Sequence, residues 1–339
     1  MQGKHCLAAI VLLLGAGLIA PAIRSAAAQQ VQGTIAAPAG QLPLVDDKGT
    51  WVFRQQVNEV TVMFTATRKG KYITDLQRED VQVRDDKKPP VQVMDFRNEQ
   101  GLPLRLALLI DTSGSVSDRF HYEMQAAGQF VKQVVDGHRD QIFVAGFSHQ
   151  MRLMQDFTSN PAAVSRGLAR LHDDQGDTAA FDAISRACQK LAATGDQQPV
   201  ARVLVLISDG DDNASKYQLK QAAEIAQWDE VTIYTISSNP RGLNLIGDRA
   251  LEELAEQSGG RALFPESKRQ VSKAFARIRD ELRNRYAVSY RPAAFRPDGR
   301  FRHIRIVARR FGKKLRVHAR KGYYARPVLA DVISASPRP

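Results

Sequence analysis

The sequence predicts an α/β fold, with a doubly wound and mostly parallel sheet inserted into a small all-β sandwich. Between residues 105 and 285, continuous apolar strands alternate with amphipathic helices, as a parallel sheet covered on both faces requires. Short segments of alternating polar and apolar residues precede and follow that region. Because neither flank has enough strands to be stable alone, we expect the two flanks to pair with each other.

The individual elements follow from the periodicity of apolar residues. In the α/β region we predict strands at 106–110, 142–147, 152–157, 203–207, 232–236 and 261–264, and helices at 122–135, 162–171, 179–193, 217–227, 249–257 and 268–285. In the flanks we predict strands at 58–64, 81–83 and 91–94, and at 286–290, 301–308 and 315–319.

The chain divides into six predicted segments. They are a signal peptide at 1–28, a flexible lead-in at 29–50, the first part of the β-sandwich at 51–100, the α/β domain at 101–285, the second part of the sandwich at 286–326 and a tail at 327–339. The first segment combines Lys4 with an apolar run and with small residues before Gln29, as in a cleaved leader. Its apolar run is short for a membrane span, so we expect export to the periplasm or the exterior.

Cysteine content and charge narrow the function classes. Cys188 is the one cysteine left after removal of the leader, which excludes an internal disulfide and a cysteine-based metal site. Its apolar neighbours indicate a buried side chain rather than a reactive thiol. The net charge of +12 is concentrated in residues 268–326, which contain 20 Lys and Arg against three acids. We interpret this region as a candidate surface for an anionic partner, and we expect no nucleic-acid binding in an exported protein.

Polar residues follow two of the apolar strands at the end where ligand sites of α/β sheets lie. Asp111, Ser113 and Ser115 follow the first strand and can direct one carboxylate and two hydroxyls into a common space. Asp209 follows the strand at 203–207, and Thr178 lies in a polar loop between the two. Hard oxygen donors of this kind suit Mg²⁺, Mn²⁺ or Ca²⁺. The sequence therefore predicts a divalent-cation site formed by three loops.

This set of residues resembles the von Willebrand factor A (VWA) family, whose metal-ion-dependent adhesion site (MIDAS) uses Asp-x-Ser-x-Ser, a distant Thr and a distant Asp. The resemblance implies that Ser113, Ser115 and usually Thr178 ligate the ion directly. It implies that Asp111 and Asp209 act directly or through water. It also implies that an Asp or Glu of a protein partner completes the coordination.

Three functions remain open on the sequence. The resemblance favours a non-enzymatic, adhesion-type module, and the flanking strands and residues 320–324 are similar to those of exported bacterial proteins related to the family. One alternative is an envelope scaffold in which the ion only stabilises the loops. The other is a Mg²⁺-dependent phosphoryl-transfer enzyme, but Ser113 stands where such an enzyme has its acid–base aspartate. The sequence does not fix the partner or the oligomeric state.

Other polar residues near the set are interpreted as structural. We interpret Asp177 as a helix cap and Asp182 as a support of its loop at most. Asp211, Asp212 and Asn213 are typical of a turn before a helix, so we leave them out of the site.

Overall fold

The computed structural model of the chain describes residues 44–45, 51–52, 59–99, 101–113, 120–135, 139–172, 174, 176–196, 198–239 and 246–325. The chain forms two compact units, residues 1–56 and 57–339. The predicted signal peptide and tail lie outside the described residues, as does most of the lead-in. Within the described part of the chain, no helix is both long enough and apolar enough to cross a membrane.

Seventeen strands and six α-helices are found in the described residues. The strands are β1 (Leu44–Val45), β2 (Trp51–Val52), β3 (Val60–Arg68), β4 (Lys71–Tyr72), β5 (Val81–Asp85), β6 (Gln92–Asn98), β7 (Leu104–Asp111), β8 (Gln141–Phe147), β9 (Met151–Thr158), β10 (Ala201–Ser208), β11 (Val231–Ser237), β12 (Ala262–Leu263), β13 (Tyr286–Arg291), β14 (Phe301–Arg310), β15 (Lys313–Lys314), β16 (Arg316–Ala319) and β17 (Gly322–Tyr324). The helices are α1 (Phe120–Val134), α2 (Pro161–Ala169), α3 (Ala180–Ala192), α4 (Leu219–Trp228), α5 (Ile246–Ser258) and α6 (Lys268–Arg283). In the first unit, β1 pairs antiparallel with β2.

The α/β part of the second unit is a six-stranded sheet in the order β12-β11-β10-β7-β8-β9. Every neighbouring pair is parallel except β8 and β9, which confirms the mostly parallel sheet. The first strand, β7, lies between β8 and β10, so the chain moves outwards from β7 in both directions. That central position is the switch point at which sheets of this kind bind ligands.

Helices cover both faces of this sheet, which explains why its central strands are apolar throughout. On one face, Leu108 packs with Phe130 of α1 and Phe275 of α6. On the other face, Leu109 packs in the core that includes Ile184 of α3. Cys188 is fully buried in the second core, and burial raises the pKa of its thiol, so the predicted buried cysteine is confirmed.

The flanking segments form a β-sandwich from both sides of the α/β region. One sheet has the order β16-β3-β13-β6 with β4 beside β3, and the other has β15-β14-β17 with β5 beside β14. Strands from before the α/β region pair antiparallel with strands from after it, as in β3 with β13 and β5 with β14. Phe64, Phe96 and Tyr286 stack in the core between them. The predicted composite sandwich is therefore confirmed.

The α/β part connects to the sandwich at the amino-terminal edge of the central sheet. The segments that lead into β7 and out of α6 are joined by a 2.9 Å hydrogen bond from the Glu99 amide to the Arg285 carbonyl. At the same edge, His318 Nε2 lies 2.7 Å from the Gly260 carbonyl, and the Tyr324 amide donates to Gln227 Oε1 at 3.1 Å. The carboxyl ends of β7 and β10 therefore point away from the sandwich.

Three short strands, β4, β15 and β17, were not predicted from the sequence. Two or three residues are too few to show an alternating pattern, so their pairing is determined by the longer neighbours β3 and β14. Helix α6 also ends two residues before its predicted end, at Arg283.

A buried carboxylate links the two halves of the sandwich. Asp85 of β5 accepts hydrogen bonds from Tyr290 Oη at 2.8 Å and from Tyr323 Oη at 3.0 Å. Burial raises the pKa of Asp85, and the two tyrosine donors oppose that rise. Because Asp85 precedes the α/β region and both tyrosines follow it, this contact fixes the pairing of the two flanks.

We expect Tyr323→Phe to lower the free energy of unfolding by about 2 kcal/mol at neutral pH, because the buried carboxylate loses a donor. The pKa of Asp85 in the folded protein lies above its ordinary value, so its ionised form opposes folding above that value. This opposition is relieved as the pH falls through the raised pKa. The penalty of the variant should therefore shrink in acid.

Urea unfolding at pH 7 and at about pH 4.5 measures this dependence. Tyr324→Phe is the matched control, since the neighbouring tyrosine is half-buried and does not contact Asp85. A Tyr323→Phe penalty that is the same at both pH values would contradict the role of Asp85.

Candidate metal centre

The candidate site lies at the switch point of the central sheet. Asp111 is the last residue of β7, and Asp209 directly follows the last residue of β10, Ser208. The two strands are hydrogen-bonded neighbours, with Ile110 opposite Ile207. The carboxyl ends of two adjacent parallel strands thus bring both acids to one edge of the sheet.

Asp111 is completely buried and both of its carboxylate oxygens accept hydrogen bonds. Oδ1 accepts the Ser113 amide at 3.0 Å and the Ser113 hydroxyl at 2.7 Å, which closes the turn after β7. Oδ2 accepts the Ser208 hydroxyl at 2.7 Å. Asp111 therefore holds one hydroxyl from its own loop and one from the neighbouring strand.

The electrostatics of the site follow from this burial. Burial raises the pKa of Asp111 to about 6, hydrogen bonds from Ser208 and Ser113 oppose the rise, and the nearby charge of Asp209 adds to it. Burial also raises the pKa of Asp211, and Asp209 contributes there as well. Negative charge is thus concentrated in a poorly solvated place, where a cation would relieve the repulsion.

Thr178 is buried in the loop before α3 and is tied to the loop that carries Asp209. The Thr178 amide donates to Asn213 Oδ1 at 2.8 Å. The Thr178 carbonyl accepts the amides of Asn213 at 3.0 Å and Ala214 at 3.1 Å. Because Asn213 follows Asp209 by four residues, the positions of these two predicted ligands are coupled.

The interpretation of Asp177 as a helix cap is wrong. The N-cap of α3 is Ala179, which makes no side-chain capping bond. Instead, the first amides of the helix are satisfied from the loop after β10, since the Phe181 amide donates to Asp212 Oδ2 at 3.0 Å. A capping group from another loop leaves no pattern in the local sequence.

Asp182 has the supporting role expected from the sequence. Its Oδ1 accepts the amides of Lys216 and Tyr217, both at 2.9 Å. In return, the Asp182 amide donates to Ser215 Oγ at 3.1 Å. The start of α3 and the loop after β10 therefore hold each other in place.

A close backbone contact holds the Asp209 loop against α5. Gly210 has a φ of +83°, and a Cβ placed on it would lie 2.2 Å from the carbonyl oxygen of Gly247. The Asp209 carbonyl also accepts Asn239 Nδ2 at 2.8 Å. Glycine is required at position 210 both for its backbone angle and for the space.

The described residues include four of the five predicted ligands. Asp111 and Ser113 are in direct contact, Asp209 lies close enough to affect the pKa of Asp111, and Thr178 is coupled to the Asp209 loop. Ser115 lies outside the described residues.

Sequence reasoning gave no role in the site to Ser208, Asp212 and Asn213. All three lie next to or shortly after the end of β10, so their position beside Asp209 was the available signal. In the described part of the chain, no group of three or more His, Cys, Asp or Glu side chains is placed to hold a metal. The donor set here is of another kind, two carboxylates combined with hydroxyls, which suits a hard cation.

The model of the von Willebrand factor type A domain matches residues 106–277, just over half of the chain. The chain therefore belongs to the von Willebrand factor type A domain family, and its fold agrees with that assignment. Comparison with the curated proteins gave no match.

Solved structures with a similar fold share little sequence with the chain. A von Willebrand factor type A protein from Catenulispora acidiphila is 12% identical, with a TM-score of 0.44 and 74% of each chain covered. Proximal thread matrix protein 1 from the mussel byssus, with a zinc-occupied MIDAS motif, is 15% identical, with a TM-score of 0.47, and the match covers 57% of this chain and 48% of that one. The von Willebrand factor domain of the type V pili tip protein Mfa5 from Porphyromonas gingivalis is 13% identical, with a TM-score of 0.43, covering 53% and 94%.

Proposed function

We propose that the protein is an exported, non-enzymatic binding module that holds one divalent cation, with Mg²⁺ as the first candidate and Mn²⁺ or Ca²⁺ as alternatives. Asp111, Ser113, Ser115, Thr178 and Asp209 would hold the ion. An Asp or Glu carboxylate of a protein partner would bind at a position that these residues leave open.

The observation that carries the proposal is the environment of Asp111. A fully buried carboxylate receives two serine hydroxyls and lies near a second carboxylate, at the edge of the sheet where ligands bind. A hydroxyl that donates its proton to Asp111 keeps its oxygen lone pairs free for a cation. The residues therefore fit a hard divalent ion.

The balance of charged and neutral donors supports partner binding rather than a closed structural site. Three of the five proposed ligands are neutral hydroxyls, so two carboxylates neutralise the charge of a divalent ion without exceeding it. Mg²⁺ requires six oxygens and keeps exchangeable waters, which a partner carboxylate can replace. When bound, the ion supplies the positive charge that attracts the acidic group of the partner.

The direct test is a calorimetric titration of the chain from Gln29 with Mg²⁺ and with Mn²⁺, after removal of metal by a chelator. We expect saturable binding with a stoichiometry of one ion per chain, and an unfolding midpoint that rises with the ion concentration. Absence of saturable binding of either ion would overturn the proposed function.

A further inference from the structure

The hairpin between β14 and β15 carries an exposed aromatic side chain at its tip. Arg310 pairs with Lys313, so Phe311 and Gly312 form a two-residue loop. The exposed fraction of Phe311 is 81%. A large apolar side chain at this exposure loses the free energy that burial would provide.

The backbone at the tip is also unfavourable for phenylalanine. Phe311 has a φ of +47° and Gly312 a φ of +72°, which is the left-handed pair of angles in a type I′ turn. The first position of that turn favours Asn, Asp or Gly, and a bulky residue there is strained. Phe311 thus serves neither the turn nor the core, which points to a role outside the fold.

The ring of Phe311 is nevertheless held in one position. The guanidinium of Arg310 lies 4.5 Å from the ring centroid. Arg310 is itself fixed by ion pairs with Asp75 at 2.8 Å and with Asp80 at 3.2 Å. The ring is therefore presented to solvent in a defined orientation.

A row of cations leads up to this tip. Arg305 of β14 lies opposite Arg84 of β5, and Arg309 lies opposite Lys314 of β15. Opposed residues and residues four apart on a strand share one face of the sheet, and all four of these side chains are exposed. We call these four residues the cationic face.

Like charges directly opposite each other destabilise a sheet. In the part of the chain that the structure describes, no acidic side chain forms an ion pair with any of the four cations, whereas Arg302 and Arg310 of the same strand are paired. The repulsion within the cationic face is therefore left for a ligand of opposite charge to relieve.

We propose that the cationic face and Phe311 together bind the surface of an anionic phospholipid membrane. The four cations match the negative headgroups, and the ring of Phe311 enters the boundary between headgroups and acyl chains. A soluble polyanion would be attracted by the cations but would not use an exposed, oriented phenyl ring. This inference concerns a different surface from the candidate metal centre and does not depend on it.

Vesicle flotation tests this inference, with vesicles of equal phosphatidylcholine and phosphatidylglycerol compared with pure phosphatidylcholine. We expect binding to the anionic vesicles only, weakening as the salt concentration rises. Arg305→Gln with Arg309→Gln should reduce the binding about twentyfold. Phe311→Asn should reduce it roughly tenfold, while the unfolding midpoint stays the same or rises because Asn suits the turn.

Matched controls separate this surface from general charge and hydrophobicity. Arg166→Gln with Arg186→Gln removes two exposed cations from helices α2 and α3, and Ile246→Ser removes an apolar side chain that is 84% exposed. Neither control should change vesicle binding. Failure to bind anionic vesicles would overturn the inference. Binding that is lost in the double Arg variant but unchanged in Phe311→Asn would also overturn it, in favour of a soluble polyanion.

Discussion

Asp209→Asn is expected to reduce the affinity for Mg²⁺ by at least about a hundredfold, because the variant lacks one of only two carboxylates near the ion. The fold should survive, since the amide oxygen can still accept the Asp211 amide, which donates to Asp209 Oδ1 at 3.0 Å. Calorimetric titration after chelator treatment measures the affinity. Circular dichroism of the same samples checks that the variant is folded.

Asp111→Asn provides a second, independent form of this prediction. The pKa of Asp111 in the folded protein is raised to about 6, so its ionised form costs folding free energy above its ordinary pKa. The neutral amide removes that cost, and the unfolding midpoint without metal should not fall at neutral pH. With Mg²⁺ present, the wild type should gain stability and the variant should not.

Asp211→Asn is the matched control for both variants. Asp211 is an acid next to the site, but it is outside the proposed ligand set, so its replacement should weaken Mg²⁺ binding only a few-fold through lost charge. If all three variants bind Mg²⁺ as the wild type does, the ion lies elsewhere and the proposed ligands are wrong.

Gly210→Ala is expected to destabilise the protein by about 3 kcal/mol or more, the largest effect on stability among our predictions. The added Cβ meets the Gly247 carbonyl at 2.2 Å, and the backbone angle of +83° is unfavourable for alanine. The loop that carries Asp209 would have to move away from α5. Mg²⁺ affinity should therefore fall together with stability.

Gly195→Ala separates the two causes. Gly195 also has a positive φ, +64°, but nothing lies within 4 Å of a Cβ placed on it. Its replacement should cost only about 1 kcal/mol, from backbone strain alone, and should leave Mg²⁺ binding unchanged. Urea unfolding of both variants gives the comparison. Equal costs for the two substitutions would contradict the contact between Gly210 and Gly247.

The sequence predicted the α/β elements well because each has a strong period. Strands such as β7 and β10 are apolar over their whole length, and the helices between them are amphipathic over three or more turns. Their alternation indicates a parallel sheet, and a parallel sheet brings the residues after β7 and β10 together. That reasoning was enough to predict that Asp111 and Asp209 lie at one edge.

The supports of the site could not be predicted in the same way. Asn213 and Asp212 bond to the start of α3, which lies more than thirty residues earlier in the chain. Ser208 was included in a strand, and only the register of β10 against β7 shows that its hydroxyl reaches Asp111. Hydrogen bonds between distant loops leave no periodic signal, which is also why the role given to Asp177 was wrong.

The hydrogen bond between Glu99 and Arg285 joins the two connections of the α/β part, at the end of the sheet opposite Asp111 and Asp209. A partner that pulls on the metal end would therefore stretch the domain along β7, and the force would divide between two neighbouring strands, β6 and β13. Because β13 is also bonded along its length to β3, the load would act in shear on a whole ladder of hydrogen bonds at once. The inserted arrangement thus equips the protein to bear tension at a surface, with neither connection carrying the load alone.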